Sequence, residues 1–127
     1  MSELVWIMLG GALGTSLRYG VGRLLDIKLR DGIPLCTVTV NVVGCLVFGL
    51  VWALVRERLP IDEMVGRVLL TGFMGGFTTF SSFIFETESL LIDGRWKLAA
   101  ANILLQILAG LLALALGLKL GGLVTGT

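Results

Sequence analysis

Four long apolar segments constrain the fold of this chain more than any other feature. They run from about Leu4 to Leu25, Leu35 to Val55, Val65 to Ile92 and Leu98 to Leu118. Each approaches or exceeds the ~20 residues that a helix needs to cross a bilayer. Only 15% of the 127 residues are charged, against about 25% in a typical soluble domain. The sequence therefore predicts an all-α integral membrane protein in which residues 1–127 form one domain of four transmembrane helices.

The middle of the third segment does not resemble a regular helix. Residues 75–83 read Gly-Gly-Phe-Thr-Thr-Phe-Ser-Ser-Phe, and Glu86 follows. Adjacent glycines, threonines and serines all weaken a helix, so we expect a break near Gly75–Thr79. Irregular backbone in hydrocarbon persists only where it is buried in protein or lines a polar cavity. The freed carbonyls of Gly75 through Thr78 would be natural ligands for a small cation such as Na⁺, and the break predicts an ion site at mid-membrane depth.

Polar side chains recur at helical spacing inside the apolar segments, where each needs a partner. The most informative is Asn41, whose amide offers two donors and an acceptor. It could form a structural hydrogen bond between helices or contact an ion. The sets that share a helix face are Thr37, Asn41 and Cys45 in the second segment, Ser82, Glu86 and Ser89 in the third, and Asn102 and Gln106 in the fourth.

Phenylalanines and two charged side chains complete the candidate lining. The ring edges of Phe80 and Phe83 could contact an anion and their faces a cation, although both rings could simply pack in lipid or core. Arg18 could extend to the membrane surface or attract anions in an aqueous vestibule. Glu86 could be solvated, organise hydrogen bonds or exchange protons. The chain has no histidine, the usual general base, so an enzyme is not expected. The polar and aromatic residues described above favour a small-ion pathway with some preference for anions.

The basic residues are almost evenly divided between the two sides of the predicted bundle. Four lie on the side of the termini and five on the other, and Arg18 within the first helix completes the ten. The two sets are Arg56, Arg58, Arg67 and Lys119, and Arg23, Lys28, Arg30, Arg95 and Lys97. The positive-inside rule needs an imbalance to orient a protein. The near balance predicts dual topology, with an antiparallel homodimer as the assembled unit.

Small residues four positions apart predict close helix contacts. They occur at Gly10 and Gly14, at Gly72 and Gly76, and at Ala109, Ala113 and Gly117. Such contacts could lie within one protomer or along a dimer seam.

Three motifs together resemble a known family. The first segment contains Gly10-Gly11-x-x-Gly14 followed by Arg18-Tyr19, and the second contains Thr37-x-x-x-Asn41-x-x-Gly44. With the string at 75–83 and Glu86, these motifs cover nearly the whole chain. The chain resembles the CrcB or Fluc family of small bacterial fluoride channels.

The resemblance implies passive fluoride export through two pores in an antiparallel homodimer of the bacterial inner (plasma) membrane. It implies that Arg18 lies at the vestibule and that backbone carbonyls of Gly75 and Thr78 from both subunits hold a structural Na⁺. The chain departs from the family pattern at Cys36 and Cys45 and at Asn102 and Gln106, so the roles of the fourth segment transfer least directly. The implied pore residues are Phe80, Phe83, Asn41, Thr37, Ser82 and Glu86.

Two other functions compete with a channel. A small multidrug-type exporter that couples protons to cations would need a carboxylate buried in the first segment, which instead contains Arg18. A non-transporting assembly subunit would leave Asn41, Phe80, Phe83 and the helix break unexplained. No basic cluster suggests nucleic acid, and the expected partners are fluoride, membrane lipid and a second copy of the chain.

Overall fold

The computed structural model describes residues 2–25, 32–56 and 62–126, and these residues form a bundle of helices. The first two helices are α1 (Glu3–Leu25) and α2 (Leu35–Arg56). The third span, Glu63–Ile92, consists of two helices, and the last helix is α5 (Trp96–Thr125). The four spans are long and apolar enough to cross a membrane, which confirms the all-α prediction. Of the basic residues counted above, Lys28, Arg30 and Arg58 lie outside the described residues.

The third span is broken, as the sequence predicts. Its first part, residues 63–77, is named α3; it begins at Glu63–Arg67, continues as a π-helix over Val68–Met74 and ends with Gly75–Phe77. Thr78 (φ −86°, ψ 160°) and Thr79 (φ −150°, ψ 112°) are extended, and α4 then covers Phe80–Ile92. The two glycines therefore stay helical, and the break falls at the two β-branched threonines, which suit extended backbone.

Local hydrogen bonds define both ends of α4. The hydroxyl of Thr79 accepts the N–H of Ser82 at 3.3 Å and so caps the first turn. At the other end, Gly94 takes φ 71°, which glycine adopts without the penalty of a Cβ. The N–H of Arg95 donates to the Leu90 carbonyl at 2.8 Å, and the N–H of Gly94 donates to Leu91 at 3.0 Å. The chain can thus reverse within a few residues and enter α5.

Glycines allow α1 to pack directly against α3. A Cβ at Gly14 would overlap the carbonyl oxygen of Phe73, and a Cβ at Gly72 would lie 2.7 Å from the carbonyl oxygen of Ile7. The ends of these helices are joined by an ion pair between Glu3 and Arg67. The two helices therefore run in the same direction, with backbone against backbone.

The α2 and α5 helices form a second close pair. A Cβ at Gly117 would overlap the Leu46 carbonyl and lie 2.9 Å from the Leu50 amide nitrogen, and a Cβ at Gly49 would overlap the Leu114 carbonyl. The small-residue spacing left open whether such contacts lie within one protomer or along a dimer seam. These glycine contacts lie within one protomer. The buried residues Val40, Met74 and Phe77 form a core cluster where α2 meets α3.

We predict that Gly117→Ala destabilises the purified protein by about 1–3 kcal/mol, because the added methyl meets backbone that cannot move aside. The matched control is Gly110→Ala on the same helix, where a Cβ would meet only the Cys45 sulfur at an ordinary 3.5 Å. Thermal unfolding in detergent measures both, and the control should unfold at the wild-type temperature or above. Equal losses in the two variants would contradict this account of the α2–α5 contact.

Candidate ion pathway

The side chain of Asn41 holds the break in the third span. Its Oδ1 accepts the N–H of Thr79 at 2.8 Å, and its Nδ2 donates to the Thr79 carbonyl at 3.1 Å. One carboxamide therefore satisfies both backbone polar groups of the same residue, much as a neighbouring strand would. This pairing explains how extended backbone exists inside a membrane span, since hydrocarbon offers no water to replace the lost helical bonds.

A chain of amides continues from Asn41 into α5. The Nδ2 of Asn41 also donates to Oε1 of Gln106 at 2.7 Å, and Nε2 of Gln106 donates to Oδ1 of Asn102 at 3.1 Å. Asn102 in turn donates through Nδ2 to the hydroxyl of Thr87 in α4 at 3.0 Å. Asn102 is fully buried and Gln106 is 7% exposed. The two amides predicted to share a face do so, and within the described protomer they link α2, α4 and α5.

The break redirects the hydrogen bonds of the carbonyls that precede it. In an unbroken helix the Gly75 carbonyl would accept from the N–H of Thr79 and the Thr78 carbonyl from the N–H of Ser82. Those two N–H groups donate instead to Asn41 Oδ1 and to the Thr79 hydroxyl. Gly75 and Thr78, the residues predicted to hold Na⁺, are thus among the residues whose carbonyls lose their usual helical donors at the break.

Arg18 contacts the same break from α1. Its Nε donates to the Gly76 carbonyl at 3.0 Å, and the hydroxyl of Thr15 lies 3.5 Å from that oxygen. A cation at the last carbonyls of a helix is favoured by the helix dipole. Arg18 also lines a cavity of about 280 Å³ together with Arg23, Tyr19 and neighbouring residues. The side chain predicted to extend to the surface or to line a vestibule therefore also stabilises the end of α3.

The two phenylalanines predicted as pore residues contact each other but differ in exposure. Their ring centroids lie 5.8 Å apart with planes at 61°, an edge-to-face arrangement. Phe80 is 74% exposed in the protomer, whereas Phe83 is 7% exposed. Ser82, between them, accepts a hydrogen bond from the Thr79 hydroxyl at 3.0 Å. The first turn of α4 thus places one ring outward and one ring inward.

Thr37 and Glu86 form a second polar contact between α2 and α4. The hydroxyl of Thr37 donates to Oε1 of Glu86 at 2.6 Å, and Thr37 is only 3% exposed. The predicted pair is therefore brought together, one helical turn of α2 away from Asn41.

An open cavity of about 410 Å³ lies in front of the break. Its described lining combines the polar groups of Asn41, Thr78 and Thr79 with the exposed ring of Phe80. The remaining lining residues are Gly44, Cys45, Phe48, Met74 and Leu114. The structure thus places three of the predicted residues, Asn41, Phe80 and Thr78, around one apolar cavity.

Besides Asn102 and Gln106, which were noted only as polar residues sharing a face, two residues of this network were not predicted as site residues. Thr79 was expected only to weaken the helix, yet it is the partner of Asn41 and the cap of α4. Thr87 receives the Asn102 amide and donates its own proton to the Phe83 carbonyl at 2.7 Å. Its position four residues after Phe83 was a signal that it lies on the same face.

Comparisons with known proteins show which family the sequence matches. The model of the family described as "CrcB-like protein, Camphor Resistance (CrcB)" matches residues 5–118. A protein of Nitratidesulfovibrio vulgaris named "Fluoride-specific ion channel FluC" is 45% identical over 98% of this chain and 100% of its own length. A protein of the same name from Solidesulfovibrio magneticus is 46% identical over 98% of this chain and 99% of its length. Another, from Nitrosococcus oceani, is 42% identical over 96% and 98%. The chain belongs to the CrcB family.

Proposed function

We propose that this protein is a fluoride channel that lets fluoride leave the cell passively across the bacterial inner membrane. The observation that carries the proposal is the break in the third span, held by Asn41 beside the exposed ring of Phe80. The curated relatives, matched over nearly their whole length, carry the name fluoride-specific ion channel. A neutral amide, hydroxyls and ring edges can replace part of the hydration of a small anion without the trapping that a buried ammonium would cause.

The working unit that we propose is an antiparallel homodimer with two pores along its interface. The cavity in front of the break opens outward, and polar groups in its lining would face lipid if no second copy covered it. Gly75 supports the same arrangement, because it is exposed and a Cβ there would meet nothing within 4 Å in its own chain. A glycine that its own protomer does not require is suited to close approach by another.

A structural Na⁺ at the dimer interface fits the residues at the break. The carbonyls of Gly75 and Thr78 from both copies would hold it, since their helical donors bind elsewhere. When bound, the ion would offset the negative ends of carbonyl dipoles that face one another. Arg18 already occupies the Gly76 carbonyl, which leaves the neighbouring carbonyls for the ion.

The other polar residues extend the proposed route along α4. Phe80 and Phe83 would present ring edges to the anion. Asn41 lines the same cavity as Phe80, and Ser82 lies in the same first turn of α4. The Thr37–Glu86 contact would continue the polar face. Arg18 would attract anions to the vestibule from the cavity that it lines. In this arrangement each side chain would contact or attract the anion, and none would take part in a chemical reaction.

The direct test is anion efflux from liposomes that contain the purified protein. With valinomycin carrying K⁺ to balance charge, we expect fluoride to leave rapidly while chloride is retained. Protein-free vesicles are the control. If vesicles with folded protein retained fluoride, the proposal would be wrong, and proton-coupled cation export, with Glu86→Gln as the first variant, would be examined next.

We predict that Phe80→Ile and Phe83→Ile each lower the fluoride efflux rate by about tenfold, because an aliphatic side chain has no positive edge and each 1.4 kcal/mol of barrier is a factor of ten. Phe85→Ile is the matched control, because Phe85 lies on the same helix and is 73% exposed. Size-exclusion chromatography verifies that each variant remains assembled. Wild-type efflux in both pore variants would remove the aromatic rings from the mechanism.

We also predict that the unmodified protein inserts in both orientations and that added charge biases it. Reporters fused to the C-terminus, one active on each side of the membrane, should both give signal. Three Lys residues added before the reporter should shift the C-terminus to the cytoplasmic side, whereas three Glu residues should have little effect. Signal on one side only from the unmodified chain would contradict dual topology.

A further inference from the structure

Both amide hydrogens of Asn41 are already donated within the protomer. One goes to the Thr79 carbonyl at 3.1 Å and the other to Oε1 of Gln106 at 2.7 Å. A carboxamide nitrogen carries two hydrogens. An anion that uses Asn41 as a donor must therefore first displace one of these two acceptors.

The direction of the amide chain is fixed from both of its ends. The single hydroxyl proton of Thr87 is donated to the Phe83 carbonyl, so the Thr87 oxygen can only accept from Asn102. Asn102 then presents its oxygen to Gln106, and Gln106 presents its own oxygen to Asn41. From the other end, the N–H of Thr79 requires Oδ1 of Asn41. The two ends agree, and Gln106 faces Asn41 with a carbonyl oxygen.

The acceptor that can leave is Gln106 rather than Thr79. The Thr79 carbonyl and N–H are backbone groups of the break and are paired with Asn41 through two hydrogen bonds. Separating them would leave both groups unpaired in hydrocarbon, which costs several kcal/mol. The Gln106 contact is one hydrogen bond from a side chain with rotatable bonds.

We propose that the Gln106 side-chain oxygen is a built-in competitor of the permeating anion for the amide hydrogen of Asn41. This inference rests on the proposed channel function. The oxygen takes the position next to Asn41 that an anion would take, so occupancy by the anion requires the Gln106 amide to turn away. The competition weakens the site, and a site on a permeation route must bind weakly enough for the ion to leave.

The variant that tests this is Gln106→Met, which keeps the length of the side chain and removes the competing oxygen. We expect the fluoride concentration that gives half-maximal efflux to fall by about threefold to tenfold, the range of one hydrogen bond. Leu108→Met, at a position of α5 that is 56% exposed, is the matched control and should leave that concentration unchanged.

A second variant changes the orientation of the Gln106 amide without altering Gln106 itself. Thr87→Val keeps the shape of the side chain but removes the hydroxyl that fixes the chain, so the Asn102 and Gln106 amides can reverse and Gln106 can offer an N–H to the anion. The half-maximal concentration should again fall, a result that loss of structure alone would not give.

The outcomes separate the inference from the proposed function. If the wild type shows saturable fluoride efflux but the half-maximal concentration in Gln106→Met is unchanged or higher, the competitor role of Gln106 is wrong and the channel function stands. If Gln106→Met does not assemble, the same result in Thr87→Val decides the question. Absence of fluoride efflux in the wild type overturns both.

Discussion

The structure depends on one requirement of the membrane interior, that every backbone N–H and C=O must find a partner within the protein. Thr78 and Thr79, in the middle of the third span, are extended and interrupt the helical hydrogen bonds there. Asn41 replaces the lost partners of Thr79 by binding both of its backbone groups. Without this amide the break would carry a penalty that the packing of two short half-helices could not easily offset. The position of Asn41 on α2 therefore determines where the third span can be irregular.

The same break creates two opposite electrostatic environments close together. The C-terminal end of α3 concentrates carbonyl oxygens, which favour cations, and Arg18 is bound there at Gly76. The N-terminal end of α4 concentrates N–H groups, which favour anions, and it carries Phe80 in its first turn. A structural Na⁺ and a fluoride route are thus compatible proposals, because the same break provides carbonyl oxygens for a cation and N–H groups for an anion.

The sequence predicts the architecture well because the signals for it are local. Span lengths follow from apolar runs, and the break is expected within the right five residues. Its exact position is missed, because Gly76 stays helical where a Cβ would overlap the Gly11 carbonyl of α1; the glycines serve helix contact rather than helix termination. The partners of Asn41 could not be predicted either. Gln106 lies 65 residues away along the chain, and only the packing of α2 on α5 brings the two amides together.

Amides and hydroxyls would behave differently in the series of hydrogen-bonded side chains that begins at Asn41. A hydroxyl can rotate its proton and exchange donor for acceptor at little cost, so a serine at position 106 could turn toward an arriving anion without moving its neighbours. Gln106 and Asn102 cannot do so separately, since each amide orientation is fixed by the next and the last is fixed by Thr87. Reorientation must then involve the whole chain or release Gln106 from it. A network that stabilises the break so specifically also makes the donor at Asn41 harder for an ion to reach.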